Sequence, residues 1–172
     1  MRRFIERFRE MCERVSDRTM IVYGQDALSY AQVDEESARV YRYLKEHGIG
    51  RECFVHVFMP KRAHFASAMI GVWKAGCALM LTEDTYPADR VRFMRNDLGC
   101  ALVLDQELFD HIMAECQPLA GHEDVDDHDA AYEHFRTVCG NYRYHEDCDT
   151  QEDGAGAHGD KIVIYGLYQL IH

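Results

Sequence analysis

The sequence predicts an α/β fold: a layered, mostly parallel sheet with flanking helices. Two observations carry this reading. Between Arg3 and Cys116, helix-like and strand-like stretches alternate with short connections, which is the order that a parallel sheet with crossover helices requires. Cys53 to Met59 is also near-continuously apolar apart from His56, as a strand covered on both faces should be.

Each element has its own local signal. Phe4, Ile5, Phe8, Met11, Cys12 and Val15 recur at intervals of three and four, which places one apolar face on a helix ending near Val15. Thr19 to Tyr23 reads as a strand, and Gly24-Gln25-Asp26 as the turn of a hairpin into Ala27-Leu28. Ser29-Tyr30-Ala31-Gln32 is a capping box, so a long helix starts there. Its buried stripe is Val33, Ser37, Val40, Tyr41 and Leu44, its charged face Asp34, Glu35, Arg39, Arg42 and Lys45, and its stop Gly48.

The strand Cys53 to Met59 ends at Pro60. Residues 61–75 form the next helix, with Phe65, Met69, Val72 and Trp73 on one face, and Gly76 turns the chain into the strand Cys77 to Leu81. Pro87 suits the first position of a helix whose apolar positions are Val91, Phe93, Met94 and Leu98, closed by Gly99. A strand over Ala101 to Leu104 and a helix near Gln106 to Cys116 follow. Beyond Pro118 no period persists until the apolar, strand-like run Lys161 to Ile171, so residues 121–172 are expected to form an irregular acidic tail after an α/β domain of residues 1–120.

Composition narrows the function classes. With 47% hydrophobic residues in 172, the chain has material for one ordinary core, so disorder along its whole length is excluded. No apolar run approaches the roughly 18 residues of a membrane span, and the charged start Met1-Arg2-Arg3-Phe4-Ile5-Glu6 has no signal-peptide core. Neither a membrane nor a secretory route is expected, and the cytoplasm is the expected compartment. The net charge of −11 argues against a nucleic-acid surface. It is unevenly spread: residues 121–172 hold twelve acidic and three basic residues, a net of −9, which leaves −2 for the first 120. Seven cysteines at irregular spacing, with no CxxC pair, are expected to be reduced thiols rather than disulfides or zinc ligands.

Specific residues take the reading beyond a fold class. Leu28-Ser29-Tyr30-Ala31-Gln32-Val33, with Val40-Tyr41-Arg42-Tyr43-Leu44 and Gly48-Ile49-Gly50, resembles the "L-T/S-Y-x-E-L … A-x-x-L … G-V-G" opening of the acyl-adenylate-forming superfamily of AMP-binding enzymes. Gly71-Val72-Trp73-Lys74-Ala75-Gly76-Cys77-Ala78-Leu79-Met80-Leu81 resembles its "G-I-L-K-A-G-A-A-Y-V-P-L", and Tyr86-Pro87-Ala88-Asp89-Arg90-Val91 its "Y-P-x-x-R-I". Asp97-Leu98-Gly99-Cys100-Ala101-Leu102-Val103-Leu104 continues the match. The resemblance spans about residues 4 to 132, and the Tyr86-Pro87-x-x-Arg90 form is closest to adenylation domains of nonribosomal peptide synthetases or to D-alanine carrier-protein ligases. Leu81 replaces the usual proline and Gln32 the usual acid. The resemblance implies the first subdomain of the adenylate-forming fold.

It also implies a parental activity: ATP-dependent activation of an amino acid or carboxylic acid as an acyl-adenylate, followed by transfer to a carrier-protein thiol. ATP and Mg²⁺ are the implied cofactors, and a carrier protein or the remainder of a synthetase the implied partner. Such chemistry needs a glycine-rich phosphate loop after a "D-D-x-A-Y" lead-in, because backbone amides must approach the phosphate oxygens. Asp126-Asp127-His128-Asp129-Ala130-Ala131-Tyr132 supplies the lead-in, but Glu133-His134-Phe135-Arg136-Thr137-Val138-Cys139-Gly140 follows it. Read one base later, Gly140 to Asp147 can encode Gly-Thr-Thr-Gly-Ile-Thr-Lys-Thr, close to that loop. The residues after about Tyr132 are therefore expected to be an out-of-frame tail, and the chain alone is not expected to bind ATP or catalyse. The alternative is a non-catalytic adenylation-like module that docks on a synthetase partner.

No catalytic, cofactor-binding or metal-ligating residue is assigned. His122, His128, His134, His145, His158 and His172, with Cys139 and Cys148, match no zinc spacing. Gly154 to Gly159 follows no expected strand and opens no helix, so it is no nucleotide loop. His56 and His64 lack an accompanying nucleophile motif and read as structural. Lys74-Ala75-Gly76 reads as a helix end, while Tyr86 and Arg90 are expected to fix a loop and a helix start.

Overall fold

The computed structural model describes residues 2–82, 86–123 and 163–164. Helix α1 (Arg2–Val15) leads into the hairpin β1 (Thr19–Tyr23) and β2 (Asp26–Ser29), followed by α2 (Tyr30–Glu46), β3 (Phe54–Phe58), α3 (Ala63–Lys74) and β4 (Ala78–Leu81). Helix α4 (Ala88–Asp97), β5 (Leu102–Asp105), α5 (Gln106–Glu115) and the short β6 (Val163–Ile164) complete the order. The capping box at α2 is formed: the Ser29 hydroxyl accepts from the Gln32 amide, and the Gln32 side chain accepts from the Ser29 amide.

Among the described residues the strands divide between two sheets of three. In one, β1 pairs antiparallel with β2 and with β6, in the order β2-β1-β6. In the other, β3 lies between β4 and β5, both parallel to it. The expected parallel sheet with flanking helices is present, and the expected hairpin belongs to a separate antiparallel sheet. Val163–Ile164, within the expected run Lys161 to Ile171, is the third strand of that sheet. The remaining expectations for residues 124–162 and 165–172, including the irregular tail, the out-of-frame reading and the glycine and Cys/His groupings there, lie outside the described residues.

Helix α3 departs from its sequence pattern. Periodicity assigns it one apolar face, yet eleven of its twelve residues are buried, so it is a central helix rather than a flanking one. Its small residues Ala66, Ser67, Ala68 and Gly71 allow this, because they let neighbouring backbones approach. Around it, Phe4 and Phe8 of α1, Val33, Val40 and Leu44 of α2, Ile21 and Leu28 of the hairpin, and Val55, Val57 and Leu79 of the parallel sheet form one core. Phe4 meets Trp73 edge to face at 5.4 Å.

Right-handed crossovers fix where α4 must go. The step from β3 to β4 runs one way along the sheet and the step from β4 to β5 runs back across β3, so α3 and α4 cover opposite faces. Alternation along β3 agrees, with Val55 and Val57 in the core and His56 on the face toward α4. Helix α4 contributes no buried residue, and its apolar positions do not enter the core: Phe93 is 69% exposed. Pro87 stands one place earlier than expected, at the N-cap of α4 rather than inside it.

Candidate functional site at the carboxyl end of the parallel sheet

Connections leaving β3 and β4 for opposite faces open a crevice between the carboxyl ends of these strands, the place where open α/β sheets take ligands. The β3–α3 loop Met59-Pro60-Lys61-Arg62 borders it on one side and Thr82 on the other. Arg62 is the N-cap of α3 and makes no side-chain cap bond, while Lys61 and Arg62 are both exposed. Across the crevice, His56 Nε2 lies 3.0 Å from Thr82 Oγ1.

His56 is only 1% exposed, and its Nδ1 has no partner. An orphaned buried N–H is rarer and costlier than an orphaned acceptor, so the imidazole donates from Nε2 to Thr82 and leaves Nδ1 as a bare lone pair. Burial holds its pKa below the ordinary histidine value, and the Arg95 guanidinium adds to the effect. With one nitrogen taken by Thr82 and the ring closed to solvent, His56 has no access to a substrate as a general base. His64 instead faces α2, with Nδ1 2.9 Å from the Glu36 carboxylate.

Lys74 is a residue whose setting the sequence did not disclose. At 3% side-chain exposure its ammonium donates to the Asp34 carboxylate at 2.7 Å and lies 5.4 Å from the Phe8 ring centroid. Burial pushes its pKa down while Asp34 pushes it up, and burial wins. The sequence placed Asp34 and Arg39 on a solvated face of α2. In the fold Asp34 neutralises Lys74, and Arg39 Nη1 donates to the carbonyls of Met113 and Cys116 at the end of α5, at 3.0 and 2.6 Å. Where α4 begins, the Arg90 guanidinium stacks 4.5 Å from the Tyr86 ring centroid.

A shallow cleft of about 300 Å³ lies at the other end of the parallel sheet, between Tyr41, Lys45, Gly48 to Arg51, Ala75 and Glu123. Lys45 Nζ and Tyr41 Oη both donate to Glu123 Oε1 at 2.9 Å, and these bonds hold the carboxyl below its usual pKa range. The amide of Glu123 donates to the Lys74 carbonyl at 2.7 Å, so the chain after α5 is tied down over the ends of α2 and α3. The amino end of a parallel sheet is not where α/β folds bind ligands, and the three polar side chains here bond one another. Among the described residues no group of three or more His, Cys, Asp and Glu is arranged to hold a metal ion, and no helix is long and apolar enough to cross a membrane.

Comparison with known proteins places this geometry. Over 97 residues the chain is 33% identical to the nonribosomal peptide synthetase rstn8 of Penicillium ochrochloron, covering 56% of this chain and 5% of that protein. Its fold matches the N-terminal subdomain of Klebsiella oxytoca NpsA in complex with anthranilyl-AMSN, with a TM-score of 0.62 at 12% identity over 69% of this chain and 34% of that one. It also matches the anthranilate CoA ligase AuaEII in complex with anthranoyl-AMP, with a TM-score of 0.67 at 12% identity over 73% and 30%. The chain thus spans a twentieth of the length of that curated relative and about a third of the solved chains. Residues 8–155 match the AMP-binding enzyme family, and with a fold that matches about a third of the solved NpsA N-terminal subdomain and a family match over most of its own length, the chain belongs to the AMP-binding enzymes.

Proposed function

We propose that this chain supplies the amino-terminal scaffold of an adenylating enzyme that activates an amino acid or other carboxylic acid with ATP and passes the acyl group to a carrier-protein thiol. The observation that carries the reading is the coincidence of the family motifs with structural junctions. Gly71 to Leu81 runs from the central helix into β4, and Tyr86 to Arg90 begins α4. The similarity to peptide synthetases supports a carrier protein or synthetase module as partner.

ATP and Mg²⁺ are implied by the family, and the described residues do not fit them. A phosphate cradle needs glycine amides at a helix N-terminus. Here Gly48 and Gly76, at φ 69° and 72°, terminate α2 and α3 instead. No step is therefore assigned to these residues. The test is amino-acid-dependent ATP–pyrophosphate exchange, measured for the chain alone and after mixing with the complementary part of an adenylation domain. Exchange only in the mixture is the expected result, whereas exchange by the chain alone, or by neither, rejects the scaffold reading.

A second reading, a non-catalytic docking module, is favoured by the exposed Phe93, Phe58 and Leu98 on the α4 side. Size-exclusion chromatography separates the two. A defined monomer or a stoichiometric complex with a synthetase supports the module, and soluble aggregates support a scaffold that needs the rest of an adenylation domain to cover it.

A further inference from the structure

The face of the parallel sheet away from the core is lightly covered. His56, Met80 and Val103 stand side by side on it in register, and Cys100, in the turn after α4, reaches back to it with Sγ 3.5 Å from Met80 Sδ. The right-handed crossover puts α4 on this face, and none of its residues is buried; its half-buried Val91 and Met94, three apart, share one side of the helix. The hold of α4 on the sheet is therefore weak, and what lies beneath it carries weight. Beneath it is an imidazole with one nitrogen on Thr82 and the other bare.

We propose that His56 is an acid-sensitive latch whose protonation frees α4 from the parallel sheet. A second proton on the ring must go to Nδ1, creating a buried, charged N–H with no acceptor. The groups facing the ring do not compensate. From β4 and the residue after it come Met80 and the Thr82 hydroxyl, from β5 Val103, from the ring's own strand Phe58 at 5.3 Å, from the α4–β5 turn the Cys100 thiol, and from α4 the Arg95 cation. Among the described residues Arg95 is the one charge set against the ring, and it repels the new proton. Opening α4 lets water reach the imidazole, which then titrates near its free value of about 6.5. The sign follows from linkage: with its pKa lowered in the closed form, the latch is complete above about pH 6.5 and weakens as pH falls below it. This inference is independent of the proposed activity.

The experiment is hydrogen exchange of the α4 segment, corrected for intrinsic rates, across a pH series, with Trp73 fluorescence reporting the core on the other side of the sheet. Expected is a rise in α4 opening, bounded at about tenfold by the free imidazole value, from neutral pH to about pH 5.5, with Trp73 emission unchanged. His56→Leu should abolish the pH dependence. If that variant does not fold, His56→Gln serves, because it keeps a donor for Thr82 and cannot take a second proton. An α4 exchange rate independent of pH, a dependence that survives His56→Leu or His56→Gln, or opening of α4 only together with a change in Trp73 emission would each overturn the proposal.

Discussion

Gly71 in α3 packs so closely on Val40 in α2 that a Cβ added to the glycine would lie 2.5 Å from Val40 Cβ and 2.9 Å from the Ser37 carbonyl oxygen. The two helices touch backbone to side chain at this point, and the glycine of the family motif is a contact residue between helices. Gly71→Ala is expected to lower unfolding stability by about 1–3 kcal/mol, the usual result of overpacking, although alanine is the better helix former. Urea unfolding followed by Trp73 emission measures the loss. Val40→Gly in the same chain, which removes both the Cβ and the Cγ1 that the new methyl would meet, should recover part of it, and strict additivity of the two substitutions would refute the contact.

The Lys74–Asp34 pair should respond asymmetrically to substitution. Lys74→Met keeps an unbranched stem in the interior and leaves Asp34, which is half-exposed, free to rehydrate, so less than about 1 kcal/mol should change. Asp34→Ala strands an ammonium at 3% exposure and should cost about 2–3 kcal/mol, below the range for a fully buried pair because the lost partner was partly in water. Because burial lowers the folded pKa of Lys74 below its ordinary 10.5, the unfolded chain binds the extra proton between the two values. Stability from this group therefore rises with pH toward 10.5. The difference between the stability–pH curves of the parent and Lys74→Met isolates it, and parallel curves would reject the assignment.

Thiol chemistry offers an independent check of the core. Burial pushes both Cys12 and Cys77 up to about 12, with Asp34 adding at Cys12, and the Cys77 thiol donates to the Gly50 carbonyl at 3.1 Å. At about pH 8 only about one in ten thousand of these groups is thiolate, the form that reacts. Iodoacetamide should leave both unmodified in the folded protein and label both in concentrated urea. Peptide mass mapping reads the outcome, and fast labelling of Cys77 in the native state would contradict its placement between α3 and β4.

Much of the fold is written locally. The Ser29 and Gln32 capping pair, the α1 stripe of Phe4, Ile5 and Phe8, and the Gly48 and Gly76 stops all act within one turn of their own position, so pattern suffices to find them. What escapes the pattern depends on partners distant in sequence. Periodicity cannot show that α3 is enclosed on every side, because its buried Ala66, Ser67 and Gly71 are not large apolar residues. It places Asp34 and Arg39 in solvent because their partners, Lys74 and the end of α5, lie 40 and more than 70 residues away. The His56–Thr82 bond escapes for the same reason: it joins β3 to the residue after β4, and neither residue belongs to a motif. Phe93 shows the reverse limit. An apolar position on a helix signals a face to be covered, and it does not say that the same chain covers it.

The enclosure of α3 has a consequence for how the molecule comes apart. The hairpin sheet and the parallel sheet share no strand, and each rests on this one helix. Removing either sheet would bare a helix with almost no polar surface, so neither has a stable remnant to leave behind. The two sheets should melt in a single transition, and a protease that opens one of them should consume both.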